Sequence, residues 1–165
     1  MMTKHSDLPK PDMTPINLMA FGFGSGCTPK APGTMGTLFA VGLYLPLSHL
    51  PLEWYIAMTV AVSLLGIFIC GWSAKDLGVH DHPGIVWDEF AGYFITMIAA
   101  PSGWQWIVIG FVLFRFFDIL KPWPISLADK KLKGGFGIMF DDILAGLAAL
   151  GCMQLLAHFL PGLGA

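Results

Sequence analysis

The sequence predicts an all-α fold, a membrane-embedded bundle of about five hydrophobic helices. Three observations carry this. The chain is 55% hydrophobic and 12% charged over 165 residues, against about 25% charged in a typical soluble domain, and its mean hydropathy is +0.68. Its apolar residues gather in five long runs, without the short alternating pattern of strands. When those runs are threaded back and forth, all nine basic residues fall on one side, as the positive-inside bias requires. The alternative is a compact soluble α-bundle, but a chain this short cannot bury five all-round apolar helices.

Residues 1–15 form a polar, proline-punctuated tail with no apolar core, so no cleavable signal peptide is expected. Residues 16–165 read as a single helical domain. The first run, Thr34–Leu50, follows a glycine-rich loop and ends at His49-Leu50-Pro51. Trp54–Ala74 is the second, and Ile85–Ala100 the third, after Asp81-His82-Pro83-Gly84. Pro101-Ser102-Gly103 precedes the fourth, Trp104–Leu120; Lys121-Pro122-Trp123-Pro124 and Gly134-Gly135 precede the fifth, Ile138–Leu160. Such clusters are turn formers. Two runs approach the ~20 residues that span a bilayer and three lie nearer the lower limit of ~17.

With the N-terminus in the cytoplasm, the cytoplasmic segments hold Lys4, Lys10, Lys30, Lys75, Lys121, Lys130, Lys131 and Lys133, with Arg115 close by. Trp54, Trp87, Trp104 and Trp106 fall near run ends, where interfacial aromatics belong. A net charge of −2 and the lack of a basic stripe exclude nucleic acid as a partner. Cys27, Cys70 and Cys152 are too far apart for a zinc motif and odd in number for disulfides.

Two stretches nearly repeat each other: Gly84-Ile85-Val86-Trp87-Asp88-Glu89 and Gly137-Ile138-Met139-Phe140-Asp141-Asp142. Each pair of acids is expected about one turn inside an apolar helix, and the threading brings both pairs to the cytoplasmic end beside Asp118. Acids at a helix start complement the macrodipole for ~0.3–1 kcal/mol each, which accounts poorly for two adjacent acids occurring twice. Five acids, Asp88, Glu89, Asp118, Asp141 and Asp142, against Arg115 and Lys121 point to a hard divalent cation, Mg²⁺. Gly92 and Gly146 each lie four residues beyond an acid and are expected to let helices approach closely.

The glycine-rich loop Gly22–Thr37 offers backbone N–H groups to an anion at a helix start, with Lys30 and the hydroxyls of Thr28 and Thr34 alongside and Gly33 among its glycines. Lys121 precedes two prolines at a rigid corner where a lipid phosphate would lie; Arg115 and Asp118 are spaced to pair across a helix turn. Lys130, Lys131 and Lys133 read as a solvated face touching anionic lipid, and His80 and His82 as surface residues flanking Asp81. Gly33 stands where a cysteine phosphatase loop starting at Cys27 would place arginine, and no serine–histidine–acid set is evident. Metal-activated water is therefore favoured over a protein nucleophile.

Four motifs carry a resemblance. Ala31-Pro32-Gly33-Thr34-Met35-Gly36-Thr37, Ile85–Gly92, Arg115–Ile125 and Gly134–Gly146 resemble, in order, those of the phosphatidylglycerophosphatase A family. The resemblance covers nearly the whole chain beyond the tail. It implies an Mg²⁺-dependent phosphatase that converts the phospholipid phosphatidylglycerophosphate to phosphatidylglycerol at the cytoplasmic face of a bacterial inner membrane. The acids would hold Mg²⁺, Arg115, Lys121, Lys30 and the loop amides would hold the phosphate, and Glu89 or Asp142 would orient water. Two rivals are a membrane phosphotransferase acting on another phospholipid and a small cation transporter. The first would carry differently spaced aspartates; the second needs polar residues in the outer helix halves, which are apolar here.

Overall fold

The computed structural model describes residues 9, 11–80 and 82–163. Most of the expected tail, with Lys4 and Lys10, lies outside the described residues, as does Asp81. The described secondary structure is entirely helical: α1 (Pro15–Ala20), a 3-10 segment (Gly22–Cys27), α2 (Pro32–Leu47), α3 (Leu52–Leu77), α4 (Trp87–Thr96), α5 (Trp104–Leu120), α6 (Ile125–Lys131) and α7 (Gly134–Phe159). Each expected run corresponds to one helix, although α2 and α7 begin earlier than expected and α3 extends beyond both expected ends. The 3-10 segment, α1 and α6 are additions too short for hydrophobic patterning to reveal.

Local chemistry sets the boundaries. Thr14 accepts the Asn17 N–H at 3.3 Å and Pro15 takes the first position of α1, where no N–H is needed. Gly78, at φ 65°, closes α3 in the left-handed conformation that glycine adopts freely. Lys121 closes α5 at φ 42°, and Pro122 and Pro124 prevent the helix from continuing.

The third run departs from expectation. Only ten of its residues form α4, about 15 Å of helix at ~1.5 Å per residue, and the chain then turns through Ala99 at φ 53°. Every α4 residue except Asp88 is buried. Helices α2, α3, α5 and α7 pack around it, so this run is apolar because it forms the core. Trp87 and Trp106 are accordingly buried and not interfacial. The Trp87 indole N–H donates to Val62 O at 3.1 Å and that of Trp106 to Leu163 O at 2.6 Å, as buried indoles require. Trp54 and Trp104 are exposed, in keeping with the sequence reading.

Glycines set the closest helix contacts. A Cβ on Gly146 would strike the Gly92 backbone, and one on Gly92 would strike the Phe114 ring and Asp142 O. The expected small-residue crossing thus joins α4 to α7 beside the acids. Gly135 plays the same part between α7 and α3, against Ile67 O and Gly71. On the outer faces Leu38, Val60, Leu64, Val112, Leu147 and Leu155 stand exposed. Among the described residues α3 and α7, at 26 residues each, are long and apolar enough to cross a membrane.

Candidate active site

The first turn of α2, the start of α4, the end of α5, α6 and the first half of α7 enclose a cavity of about 430 Å³. Asp88, Glu89, Asp118, Asp141 and Asp142 all line it, together with Arg115, Lys121 and Gly33. The structure therefore gathers at one end of the bundle the acids that threading placed there. Thr28, Lys30 and Thr34 are not among its described lining residues. The Thr28 hydroxyl donates to Ser25 O at 3.1 Å, and Lys30 is exposed. Ala31 turns the chain at φ 47° so that α2 shows Pro32 and Gly33 to the cavity; Thr34 lies ~100° further round the helix.

The second acid pair lies deeper than expected. Because α7 begins at Gly134, Asp141 and Asp142 sit about two turns inside it and no acid occupies its first turn. A macrodipole effect fades within the first turn, so it cannot account for this pair. Asp88 and Glu89 do occupy the first turn of α4.

Arg115 ties three elements together. Its Nη1 lies 2.5 Å from Asp118 Oδ2 and 3.1 Å from Glu89 Oε2. The pairing across one helix turn is present, then, and extends to α4. Thr37 donates its hydroxyl to Glu89 Oε2 at 2.9 Å and lies 3.5 Å from Arg115 Nη1. A side chain at Gly33 would overlap the Glu89 carboxylate and crowd Arg115 Nη1. Glycine is needed at that position to admit the ion pair to the helix start.

Lys121 bridges Asp129 of α6 and Asp141 of α7, each at 2.6 Å. Burial disfavours its charge, but the two carboxylates outweigh burial and raise its pKa above the ordinary lysine range. It is a fixed cation held at the corner between α5 and α6.

Sequence reasoning passed over Thr37 and Asp129. Thr37 lies four residues after Gly33, on the same face of α2, and that spacing was available as a signal. Asp129 returns to Lys121 only because α6 folds back beyond the prolines. His80 is exposed, as expected, yet it lines the cavity and accepts the Gly134 N–H at 2.9 Å. His82 is a correction: it is buried, accepts the Gly84 N–H at 3.0 Å and packs on the Phe21 ring at 5.3 Å. That loop turns inward to cover the 3-10 segment.

Counting Asp129, six acids face the cavity against Arg115 and Lys121. Asp142 is 3% exposed, and its Oδ2 has no hydrogen-bond partner among the described residues. An uncompensated buried charge costs several kcal/mol on the order of magnitude known for such ions. As placed, no three histidine, cysteine or acidic side chains among the described residues converge as a metal cage. Mg²⁺ does not demand one: it commonly takes one or two carboxylates and completes its shell with water and substrate phosphate. The excess of carboxylates and the unpartnered Asp142 oxygen fit that donor set.

Comparison with known proteins bears on the same residues. The family model for phosphatidylglycerophosphatase A matches residues 18–157. The chain is 43% identical to an Escherichia coli (strain K12) protein named phosphatidylglycerophosphatase A, over 97% of this chain and 95% of that protein. It is 50% identical to a Haemophilus influenzae protein of the same name, over 90% and 93%. A Bacteroides thetaiotaomicron protein with the provisional name phosphatidylinositol-3-phosphatase is 40% identical over 84% of this chain and 90% of its own. No solved structure matches. The match runs through every element that lines the cavity, from the first turn of α2 to the acid pair of α7, and on that ground the chain belongs to the phosphatidylglycerophosphatase A family.

Proposed function

We propose that the protein hydrolyses the terminal phosphomonoester of phosphatidylglycerophosphate, releasing phosphatidylglycerol and inorganic phosphate, with Mg²⁺ as cofactor. The observation that carries this reading is the cavity itself. Six acids and two fixed cations meet at one end of a bundle whose outer faces are apolar. A phosphate bound there would leave its lipid chains beside those faces. The names of the relatives supply the headgroup.

Phosphoryl transfer to water asks mainly for in-line positioning and for positive charge beside the phosphoryl oxygens. Arg115, in the turn before the last of α5, and Lys121, at the corner after the helix, would hold those oxygens. Asp88, Glu89, Asp118, Asp141 and Asp142 would hold Mg²⁺, which when bound supplies further positive charge and makes water a better nucleophile at neutral pH. Asp142 is the better candidate to orient water: its Oδ2 is uncommitted, whereas the Glu89 carboxylate is engaged by Thr37 and Arg115. Thr28, Lys30 and Thr34 are supporting residues at most, reaching the phosphate only if the loop moves.

The one-sided basic residues and apolar outer faces support a bacterial inner-membrane protein with this cavity facing the cytoplasm. The decisive experiment measures phosphate release from phosphatidylglycerophosphate by purified protein in detergent micelles. Release that depends on Mg²⁺ and stops with chelator is expected; no release at any Mg²⁺ concentration would overturn the reading.

A further inference from the structure

The rim of the cavity has two characters. Ala31, His80 and Asp129 are exposed lining residues that face water with small or polar groups. Ile119 is the one large apolar lining residue that stands exposed among those described, at 64%. The other apolar lining residues, Ile85, Leu132 and Ile138, are buried or half-buried.

Ile119 begins a stripe. Val108, Val112 and Phe116 recur at helical spacing on the same face of α5 and are 49%, 57% and 53% exposed. From Val108 to Ile119 the stripe runs about 16 Å at ~1.5 Å per residue. The same two turns of α5 send Arg115 and Asp118 into the cavity. One helix thus carries the covered guanidinium of Arg115 beside the cavity end of an exposed apolar track, joined at Ile119. The exposed faces of α3 and of the far half of α7 reach the cavity through no described lining residue.

We infer that the acyl chains of the substrate lie along this outer face of α5, and that the phosphate enters the cavity past Ile119. The inference rests on the phosphatase reading and adds a route and a specificity surface to it. The occupant is a phospholipid because the track is wholly apolar, begins at the site that takes the phosphate and belongs to a bundle with an apolar exterior. A water-soluble phosphomonoester would have no use for it.

The test compares long-chain phosphatidylglycerophosphate in mixed micelles with its deacylated, water-soluble headgroup, glycerophosphoglycerophosphate. Val112→Ser and Phe116→Ser, on the stripe but outside the cavity lining, are expected to raise KM about tenfold for the lipid and to leave KM for the headgroup unchanged. Leu64→Ser, on the exposed face of α3, should change neither. Equal shifts on both substrates, or an equal effect from Leu64→Ser, would overturn the inference. A second measurement needs no turnover: a phosphonate analogue with a diazirine on its acyl chain should crosslink within residues 108–119 in preference to α3, and even labelling would overturn the route. A wild-type protein inert toward both substrates would overturn the phosphatase reading and the inference with it; an active wild type whose variants are indifferent overturns the inference alone.

Discussion

Asp142 concentrates the chemistry of the cavity in one side chain. Its carboxylate is buried, carries an unpartnered oxygen and shares the space with five other acids. Asp142→Asn removes a buried acid crowded by five others, so thermal stability in detergent is expected to hold or rise. Phosphate release should fall at least about a hundredfold, the scale of losing a positioned acid or base. A variant with normal turnover would remove Asp142 from the machinery. The bases separate in another way. Arg115→Lys keeps the charge but loses the planar guanidinium whose Nη1 meets both Asp118 and Glu89. A drop of about tenfold to a hundredfold is expected, from the ~1.5–3 kcal/mol of a charged hydrogen bond. Lys121→Ala should impair turnover comparably, since it also releases Asp129 and Asp141, while Lys130→Ala and Lys131→Ala should leave it near wild type. Kinetics at saturating Mg²⁺ decide both comparisons.

Two elements meet at the Gly92–Gly146 crossing, which fixes the distance between the acid pairs. Gly146→Ala places a methyl against the Gly92 carbonyl, and α4 and α7 must separate. Overpacking of this kind costs about 1–3 kcal/mol, and the shift carries Asp88 and Glu89 away from Asp141 and Asp142, so activity should fall with stability. Gly151, on the same helix, has open space around it. Gly151→Ala should be neutral or stabilise by up to about 1 kcal/mol through helix propensity. Denaturant melts of the two variants test whether the crossing, and not glycine content, is what α7 requires.

At the scale of the molecule the question is orientation. The proposed topology predicts that a single cysteine at position 130 is shielded from impermeant reagents in intact cells, whereas one at 102 reacts. Position 82 is a poor reporter because its side chain is buried whichever way the bundle faces. Labelling at 130 from outside would reverse the topology and place the cavity on the far side of the membrane.

Composition and run length by themselves determined the helical class, because a charge deficit and long unbroken apolar stretches are properties of the chain that no packing alters. Threading also placed Asp88, Glu89, Asp118, Asp141 and Asp142 at one end, since successive helices must reverse direction. The division of the apolar runs between core and exterior was decided only in three dimensions: α4 and α3 look alike in composition, yet α4 is enclosed by four helices and α3 leaves Leu64 and Phe68 exposed. Tertiary structure also decided which polar groups of the glycine-rich loop reach the cavity, by turning α2 so that Gly33 faces Glu89. The same holds for Asp129, which meets Lys121 only because α6 folds back. Spacing along a chain specifies neighbours within one helix; which face turns inward depends on the helices packed around it.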